Sequence, residues 1–143
     1  MKVLFLDIDG VLNSASTMKH GVHLCNKRIV MLSRLCKELD LKVVISSSWR
    51  EIYDLRELKE LLHRTGFGGI PRVIDVTGND TRGNRGTEIK AWLDAHPEVV
   101  QYAIIDDDRD MLPEQLPYFV KTSWKTGLNQ RACEKLRIIF TTV

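Results

Sequence analysis

Five short apolar runs alternate with amphipathic segments along the chain. The runs are rich in Val, Ile and Leu and lack a polar face, as is typical of strands that are covered on both sides. Because helical patterns separate them, the chain is predicted to form an α/β fold of three layers, with a parallel five-stranded sheet and helices on both faces. The strands are predicted at residues 2–6, 42–45, 72–76, 101–105 and 118–120.

Apolar residues at three- and four-residue steps predict four helices. Asn26 is the expected N-cap of the first helix, and Ser48 with Glu51 matches the capping box expected to open the second. The four helices are expected from Asn26 to about Leu39, from Ser48 to near Gly66, from about Thr87 to Pro97, and onward from Asn129.

Composition narrows the class of protein. A length of 143 residues suits one domain, residues 1–143, and the 43% hydrophobic and 28% charged content is typical of a globular protein. No apolar run reaches the roughly 18 residues of a membrane helix, so we expect a soluble, cytoplasmic protein without a membrane partner. The net charge of +2 permits an anionic partner without demanding one. Three widely spaced cysteines indicate neither a disulfide framework nor a zinc site.

Polar side chains follow three of the predicted strands at the point where each strand ends. Asp7 and Asp9 follow the first strand, Ser46 follows the second, and Asp106 with Asp107 follows the fourth. Ligands of open parallel sheets bind at this carboxyl edge. Four carboxylates gathered there repel one another unless a cation neutralises them, and oxygen ligands suit Mg²⁺. The sequence therefore predicts a magnesium site that handles a phosphate.

Four segments resemble the ordered motifs of the haloacid dehalogenase (HAD) superfamily of phosphatases. They are FLDIDGVLN, ISSSWR, the Arg-rich stretch before EIKAWL, and YAIIDDDRDM, and together they span nearly the whole chain. Within the superfamily, GVLN, SSSWR and the helix containing EIKAWL also resemble the compact phosphatase domains of bacterial and phage polynucleotide-repair enzymes. The resemblance implies a Rossmann-like, HAD-like sheet and Mg²⁺-dependent hydrolysis of phosphomonoesters.

The resemblance also implies roles for the acids. Asp7 is expected to attack phosphorus and form an aspartyl-phosphate, which divides hydrolysis into two easier steps. Asp9 is expected to protonate the leaving group and then to activate water. Gly10 is expected to turn the chain and bring its backbone amides to the phosphate. The expected metal ligands are Asp7, Asp9, Asp106 and Asp107.

Hydroxyls and cations are the expected phosphate ligands. Ser46 matches the second motif and Ser47 is a further candidate, whereas Ser48 is accounted for as a helix cap. The third motif of the family usually supplies a lysine, but this sequence offers arginines. Arg85 stands at the family position and is favoured, with Arg82 next and Lys90 expected to be a solvated helix charge.

The spacing of the motifs leaves no room for a cap domain. Only residues 10–45 separate Asp9 from Ser46, and a helix and a strand use half of them. Resemblance to capless members implies an open site for a large substrate, such as a nucleic-acid 3′-phosphate, a nucleotide or a phosphoprotein, and an oligomer could supply a lid instead. Trp49, Arg50 and Asn13 are candidates for contact with the substrate, because bases stack on aromatic rings and arginine pairs with phosphate.

Three alternatives remain open at the level of the sequence. The same phosphatase chemistry could act on small metabolites. A non-catalytic signalling domain resembling response-regulator receivers also collects acids, a hydroxyl and a cation around Mg²⁺. Asp9 argues against a receiver, because receivers lack an acid two residues beyond the phosphorylated aspartate. A nucleic-acid-binding pseudoenzyme is disfavoured because no catalytic acid is missing.

Overall fold

The sheet is parallel throughout and has the strand order β3-β2-β1-β4-β5. The computed structural model of the protein describes residues 1–78 and 84–142. All five predicted strands are present, each within one residue of its expected bounds, so the predicted fold class is confirmed. The strands are β1 Lys2–Leu6, β2 Lys42–Ile45, β3 Val73–Val76, β4 Gln101–Asp106 and β5 Phe119–Lys121.

The described residues form five α-helices and three short 3-10 helices. The predicted helices are present, and the five-residue α1 was not expected, because it buries no residue and so has no apolar stripe. The helices are α1 Ala15–Lys19, α2 Asn26–Leu39, α3 Leu55–Arg64, α4 Arg85–Asp94 and α5 Gln130–Thr141, and the 3-10 helices are Ser48–Glu51, Ile70–Arg72 and Pro113–Tyr118.

Two predicted helix starts are wrong. Ser48 does not open α3, because residues 48–51 form a separate 3-10 helix, and Ile52 is 77% exposed rather than part of a buried stripe. Asp54 caps α3 instead, in a capping box with Glu57. Cys25 occupies the N-cap position of α2, and the side chain of Asn26 donates to the carbonyl oxygen of Thr65.

Alternating strand residues build two cores, one on each face of the sheet. Leu4 and Leu6 of β1 join the larger core, which α2, α3 and α5 cover. Val3 and Phe5 join the smaller core beneath α4, where the rings of Phe5 and Trp92 meet edge to face with centroids 5.5 Å apart. The sheet therefore has helices on both faces.

The chain changes direction across the sheet beside β1. It moves outward from β1 to β3 with α2 and α3 on one face, then returns through α4 on the other face to β4 and β5. Right-handed crossovers require such a change of face when the direction reverses. A crevice therefore opens between the carboxyl ends of β1 and its neighbours, where ligands of open α/β sheets bind. Within the described ranges no helix is both long and apolar enough to cross a bilayer.

Candidate active site

Four polar residues continue neighbouring strands at the carboxyl edge of the sheet. Backbone hydrogen bonds extend beyond the strand ends, from Asp7 N to Ile105 O (3.1 Å) and from Ser46 N to Leu6 O (2.9 Å). Because Phe5 and its counterparts on β2 and β4 face α4, the alternation also directs the side chains two residues later toward α4. The four residues are Asp7, Ser46, Thr77 and Asp106, and each is at most 4% exposed.

Arg85 approaches this edge from the first turn of α4. Its Nη1 lies 3.1 Å from Oδ1 of Asp7 and 2.8 Å from Oδ2 of Asp106, and its side chain is 22% exposed. Burial alone would lower the pKa of Arg85, but the charges of Asp106 and Asp7 outweigh it and raise that pKa above its usual value. The guanidinium is therefore a fixed positive charge between two buried carboxylates.

The start of α4 is held in place by contacts that sequence spacing does not reveal. Asp110 accepts the backbone N–H of Arg85 through Oδ2 (3.0 Å) and that of Gly86 through its carbonyl oxygen (2.9 Å). A Cβ at Gly86 would lie 2.7 Å from the backbone nitrogen of Leu112, so only glycine permits this packing. Asp110 thus accepts the first two N–H groups of α4 and fixes the position of Arg85.

Three carboxylates form a compact cluster. Asp7, Asp106 and Asp107 each offer an oxygen within 4.8 Å of the others. Burial and the neighbouring charge of Asp106 raise the pKa of Asp7 to about 9, against the opposing charge of Arg85. Burial and Asp106 also raise the pKa of Asp107. The protein alone therefore disfavours the fully ionised cluster, despite the presence of Arg85.

The donor set fits a magnesium ion. Carboxylate oxygens are the protein ligands that Mg²⁺ prefers, and a divalent charge favours the ionised form of each carboxylate that burial disfavours. Asp7, Asp106 and Asp107 are the residues that would hold the ion. Asp9, expected as a fourth ligand, does not belong to the cluster.

Asp9 is instead held by two N–H donors. Its Oδ1 accepts the indole N–H of Trp49 at 3.0 Å and the side-chain amide of Asn13 at 2.9 Å. The Asn13 amide also donates to the carbonyl oxygen of His23, and its own Oδ1 accepts the backbone N–H of Gly10. These bonds fix the amide orientation of Asn13 and present only donors to Asp9. A proton on Asp9 must therefore reside on Oδ2.

The hydrogen bonds around Asp9 bear on the roles expected of Asn13 and Gly10. Asn13 is fully buried and its amide is bonded within the protein, so it holds Asp9 in place, and its contact with a substrate stays a prediction. Gly10 turns the chain at a φ of 78°, as expected, but Asn13 already accepts its N–H, which removes that amide from phosphate binding. Gly10 is needed for another reason: a Cβ there would lie 2.3 Å from Oδ2 of Asp107.

The hydroxyls sort into a capping group and two unpaired groups. Ser47 Oγ accepts the N–H of Trp49 and caps the 3-10 helix, which is the role expected of Ser48. Ser46 Oγ and Thr77 Oγ1 are buried and have no hydrogen-bond partner among the described residues. Such orphaned groups are rare in folded proteins, and a water, an ion or a bound ligand is the kind of partner that satisfies them. Ser46 was expected here; Thr77 was missed, because a hydroxyl after the weakly patterned β3 carries no distinctive signal.

The remaining residues predicted to bind the substrate or its phosphate differ in burial and in their partners. Arg50 forms an ion pair with Glu88, donates to the carbonyl oxygen of Ser47 and is 8% exposed in its side chain. These contacts engage its guanidinium within the protein, and its contact with a substrate stays a prediction. Trp49 is partly buried, packs against the core and donates to Asp9. Lys90 is exposed and pairs with Asp94, as expected of a solvated charge. Arg82 lies outside the described residues.

Comparison with known proteins agrees with this geometry. Residues 3–133 match the model of a family described as the HAD domain in Swiss Army Knife RNA repair proteins. The chain belongs to this family. No curated protein and no solved structure matches the chain. As a HAD domain, the protein has the Rossmann-like sheet of that superfamily, and its family indicates phosphatase-type hydrolysis and the general use of Mg²⁺.

Proposed function

We propose that this HAD domain is a Mg²⁺-dependent phosphomonoesterase that removes phosphate from the ends of RNA strands through an aspartyl-phosphate on Asp7. The observation that carries the proposal is the position of Asp7. It ends the central strand, belongs to the carboxylate cluster, contacts Arg85 and lies beside the unpaired hydroxyl of Ser46. A nucleophile, a fixed cation and a free donor therefore converge on one point.

Asp7 and Arg85 supply the first step. A carboxylate oxygen of Asp7 attacks phosphorus and forms a bond to it while the bond from phosphorus to the leaving oxygen breaks. Arg85 and Ser46 supply donors for the phosphoryl oxygens, and donors that are fixed in advance stabilise the charge of the transition state most effectively. When Mg²⁺ is bound at the carboxylate cluster, it keeps Asp7 ionised and neutralises phosphoryl charge.

Asp9 supplies the protons for both steps. Its Oδ2 gives a proton to the leaving alkoxide, because Oδ1 is occupied by the N–H groups of Trp49 and Asn13. The same oxygen then takes a proton from the water that attacks phosphorus, and the bond from phosphorus to Asp7 breaks. Asp7 and Asp9 end the cycle in their starting protonation states, and inorganic phosphate is released.

The choice of substrate rests on the family and on the open site. The family model is named for RNA repair proteins, in which strand ends are the groups that need processing. Residues 7–41, between β1 and β2, contain only α1 and α2 and leave no cap domain over the carboxyl edge. A site without a cap domain between β1 and β2 admits the end of a polymer as readily as a small molecule.

A substrate panel tests this proposal. Initial rates are measured with Mg²⁺ on RNA and DNA oligonucleotides carrying 3′- or 5′-phosphates, and on mononucleotides, sugar phosphates and phosphopeptides. We expect the highest kcat/KM on a phosphorylated RNA end, with 3′-phosphate preferred, and no turnover with EDTA. Equal kcat/KM across the panel would contradict the proposal that RNA ends are the substrate. Turnover that is unaffected by EDTA would contradict the proposed dependence on Mg²⁺.

A further inference from the structure

A basic groove lies beside the active site, on the β5 side of the sheet. It is open to solvent and has a volume of about 340 Å³, within the range of about 300–1,000 Å³ that is common for ligand sites. It runs from the end of β5 to the first turns of α5. The cations that line it are Arg109, Lys121, Arg131 and Lys135.

The cations of the groove have no carboxylate beside them in the groove lining. All four cationic residues are exposed, and the described residues that line the groove include no Asp or Glu. In the described part of the chain none of the four forms an ion pair, whereas Arg50, Arg72, Arg85 and Arg137 each do. A protein with a net charge of only +2 thus concentrates four unpaired positive charges in one concave surface. This arrangement favours a polyanion.

The groove lies at the same edge of the sheet as the carboxylate cluster. Thr122 lines it, and the Oγ1 of Thr122 donates to the carbonyl oxygen of Gly10 at 2.6 Å while its backbone N–H donates to that of Asp106 at 2.9 Å. Arg109 follows Asp107 by two residues and lines the same groove. The groove is therefore at the end of β5, two strands from Asp7 at the end of β1.

An exposed aromatic ring stands in the same loop. Trp124 is 42% exposed and lies between Ser123 and Thr126, both of which line the groove. Its carbonyl oxygen accepts the N–H of Ala15, which anchors the backbone of the loop while leaving the ring at the surface. Nucleic-acid sites combine cations that follow the phosphates with an aromatic ring on which a base stacks. An acidic phosphopeptide would use the cations but would leave the ring without a partner of matching shape.

We infer that this groove binds the single-stranded segment adjacent to the phosphorylated end. Backbone phosphates lie against the four cations and a base stacks on Trp124. The inference rests on the proposed function, because it gives the path of a strand whose terminal phosphate is at Asp7. The strand segment makes no contact with the reacting phosphoryl group, so the groove contributes to KM for polymers and not to the chemical step.

The test removes two charges from the groove and compares two substrates. In the R131Q/K135Q variant, KM is measured for a 3′-phosphorylated RNA decamer and for p-nitrophenyl phosphate, which is too short to enter the groove. The matched control is R56Q/R64Q, which removes two exposed charges from α3, the helix that contacts β3 at the opposite edge of the sheet. A third variant, W124A, removes the ring.

At 0.1 M salt, R131Q/K135Q is expected to raise the ratio of the KM for the decamer to the KM for p-nitrophenyl phosphate about tenfold. The control R56Q/R64Q should leave this ratio within twofold of the wild-type value. The slope of log KM against log salt for the decamer should fall by about 1.4, because each single-strand phosphate contact contributes about 0.7. W124A should raise the same ratio several-fold without changing the slope.

Three outcomes would overturn the inference. The first is an equal change in KM for the decamer in R131Q/K135Q and in the control variant. The second is a rise in KM that is as large for p-nitrophenyl phosphate as for the decamer. The third is a preference for phosphopeptides that R131Q/K135Q abolishes. These results are distinct from failure of the proposed function. If p-nitrophenyl phosphate is hydrolysed but no oligonucleotide is, the RNA substrate and the inference fall together; if the decamer is hydrolysed and the groove variant matches the control, only the inference falls.

Discussion

The indole N–H of Trp49 lies 3.0 Å from Oδ1 of Asp9, although 40 residues of sequence separate them. The bond joins the loop after β2 to the loop after β1, and the amide of Asn13 shares the same acceptor oxygen. The bond fixes the orientation of the Asp9 carboxyl group and leaves Oδ2 as the oxygen that would carry a proton in the proposed mechanism.

Replacing Trp49 with Phe should therefore impair acid catalysis selectively. The ring is kept against Tyr53, whose centroid lies 5.8 Å away, but the N–H is lost. We expect kcat for an alkyl phosphate, whose leaving group needs a proton, to fall about tenfold or more, and kcat for p-nitrophenyl phosphate to change much less. Tyr53→Phe is the control, since it leaves the donor to Asp9 intact. Equal losses on both substrates would show that Trp49 acts only through packing.

Arg85 should be required for the chemical step. Its guanidinium contacts both Asp7 and Asp106, and removal of one fixed donor to a transition state typically lowers kcat by about 10²–10³. Arg85→Ala should show a loss of this size in steady-state assays, and Arg85→Lys should recover part of it by restoring a positive charge. Lys90→Ala is a matched control on the same helix, because Lys90 is exposed and pairs with Asp94. An Arg85→Ala enzyme with more than half of the wild-type kcat would remove Arg85 from the site.

Gly10 and Gly21 separate backbone strain from steric conflict. Both have a φ of 78°, but a Cβ at Gly21 meets nothing within 4 Å, whereas one at Gly10 meets the carboxyl group of Asp107. Gly21→Ala should lower the free energy of unfolding by about 1–2 kcal/mol, the cost of a left-handed backbone. Gly10→Ala should cost about 1–3 kcal/mol more through overpacking, and it should also weaken Mg²⁺ binding in calorimetric titrations because Asp107 must move. If the two substitutions changed the free energy of unfolding and the Mg²⁺ affinity equally, the close approach of Asp107 to Gly10 would be contradicted.

The stability of the metal-free protein should depend on pH through Asp7. Burial and the charge of Asp106 raise the folded-state pKa of Asp7 from 3.8 to about 9. The folded protein therefore holds a proton that the unfolded chain releases, so this contribution to stability is complete below about pH 4 and is lost as the pH rises toward 9. In urea titrations with EDTA, the free energy of unfolding should fall between pH 5 and pH 9 by at least about 1.4 kcal/mol more for wild type than for Asp7→Asn. Parallel pH profiles would contradict the raised pKa.

The sheet could be predicted from sequence because its strands carry unbroken apolar runs. Each strand in the described residues lies within one residue of its predicted bounds, and the acids at the strand ends follow from parallel topology. The start of α3 could not be predicted in this way, because Ser48 with Glu51 and Asp54 with Glu57 both match a capping box. Only tertiary packing, which leaves Ile52 exposed, selects the second.

Fewer of the contacts inside the site could be predicted from the sequence. Arg85 could be favoured from its motif position, but the contacts that fix it come from Asp110, 25 residues away. The contacts of Asn13 and Arg50 could not be predicted from sequence, because polarity alone does not show that Asn13 donates to Asp9 or that Arg50 pairs with Glu88. Thr77 was missed because a single hydroxyl becomes distinctive only when its burial and lack of a partner are known.

The most direct test of the account is chemical trapping of the acyl phosphate on Asp7. The wild-type enzyme is mixed with Mg²⁺ and a phosphorylated substrate, quenched with acid during turnover, and treated with borohydride, which reduces an aspartyl-phosphate to homoserine. Peptide mass spectrometry should find homoserine in place of Asp7, dependent on both substrate and Mg²⁺, and none in the Asp7→Asn variant. Conversion of a different aspartate, or an unmodified Asp7 at every quench time during turnover, would contradict the assignment of Asp7 as the nucleophile.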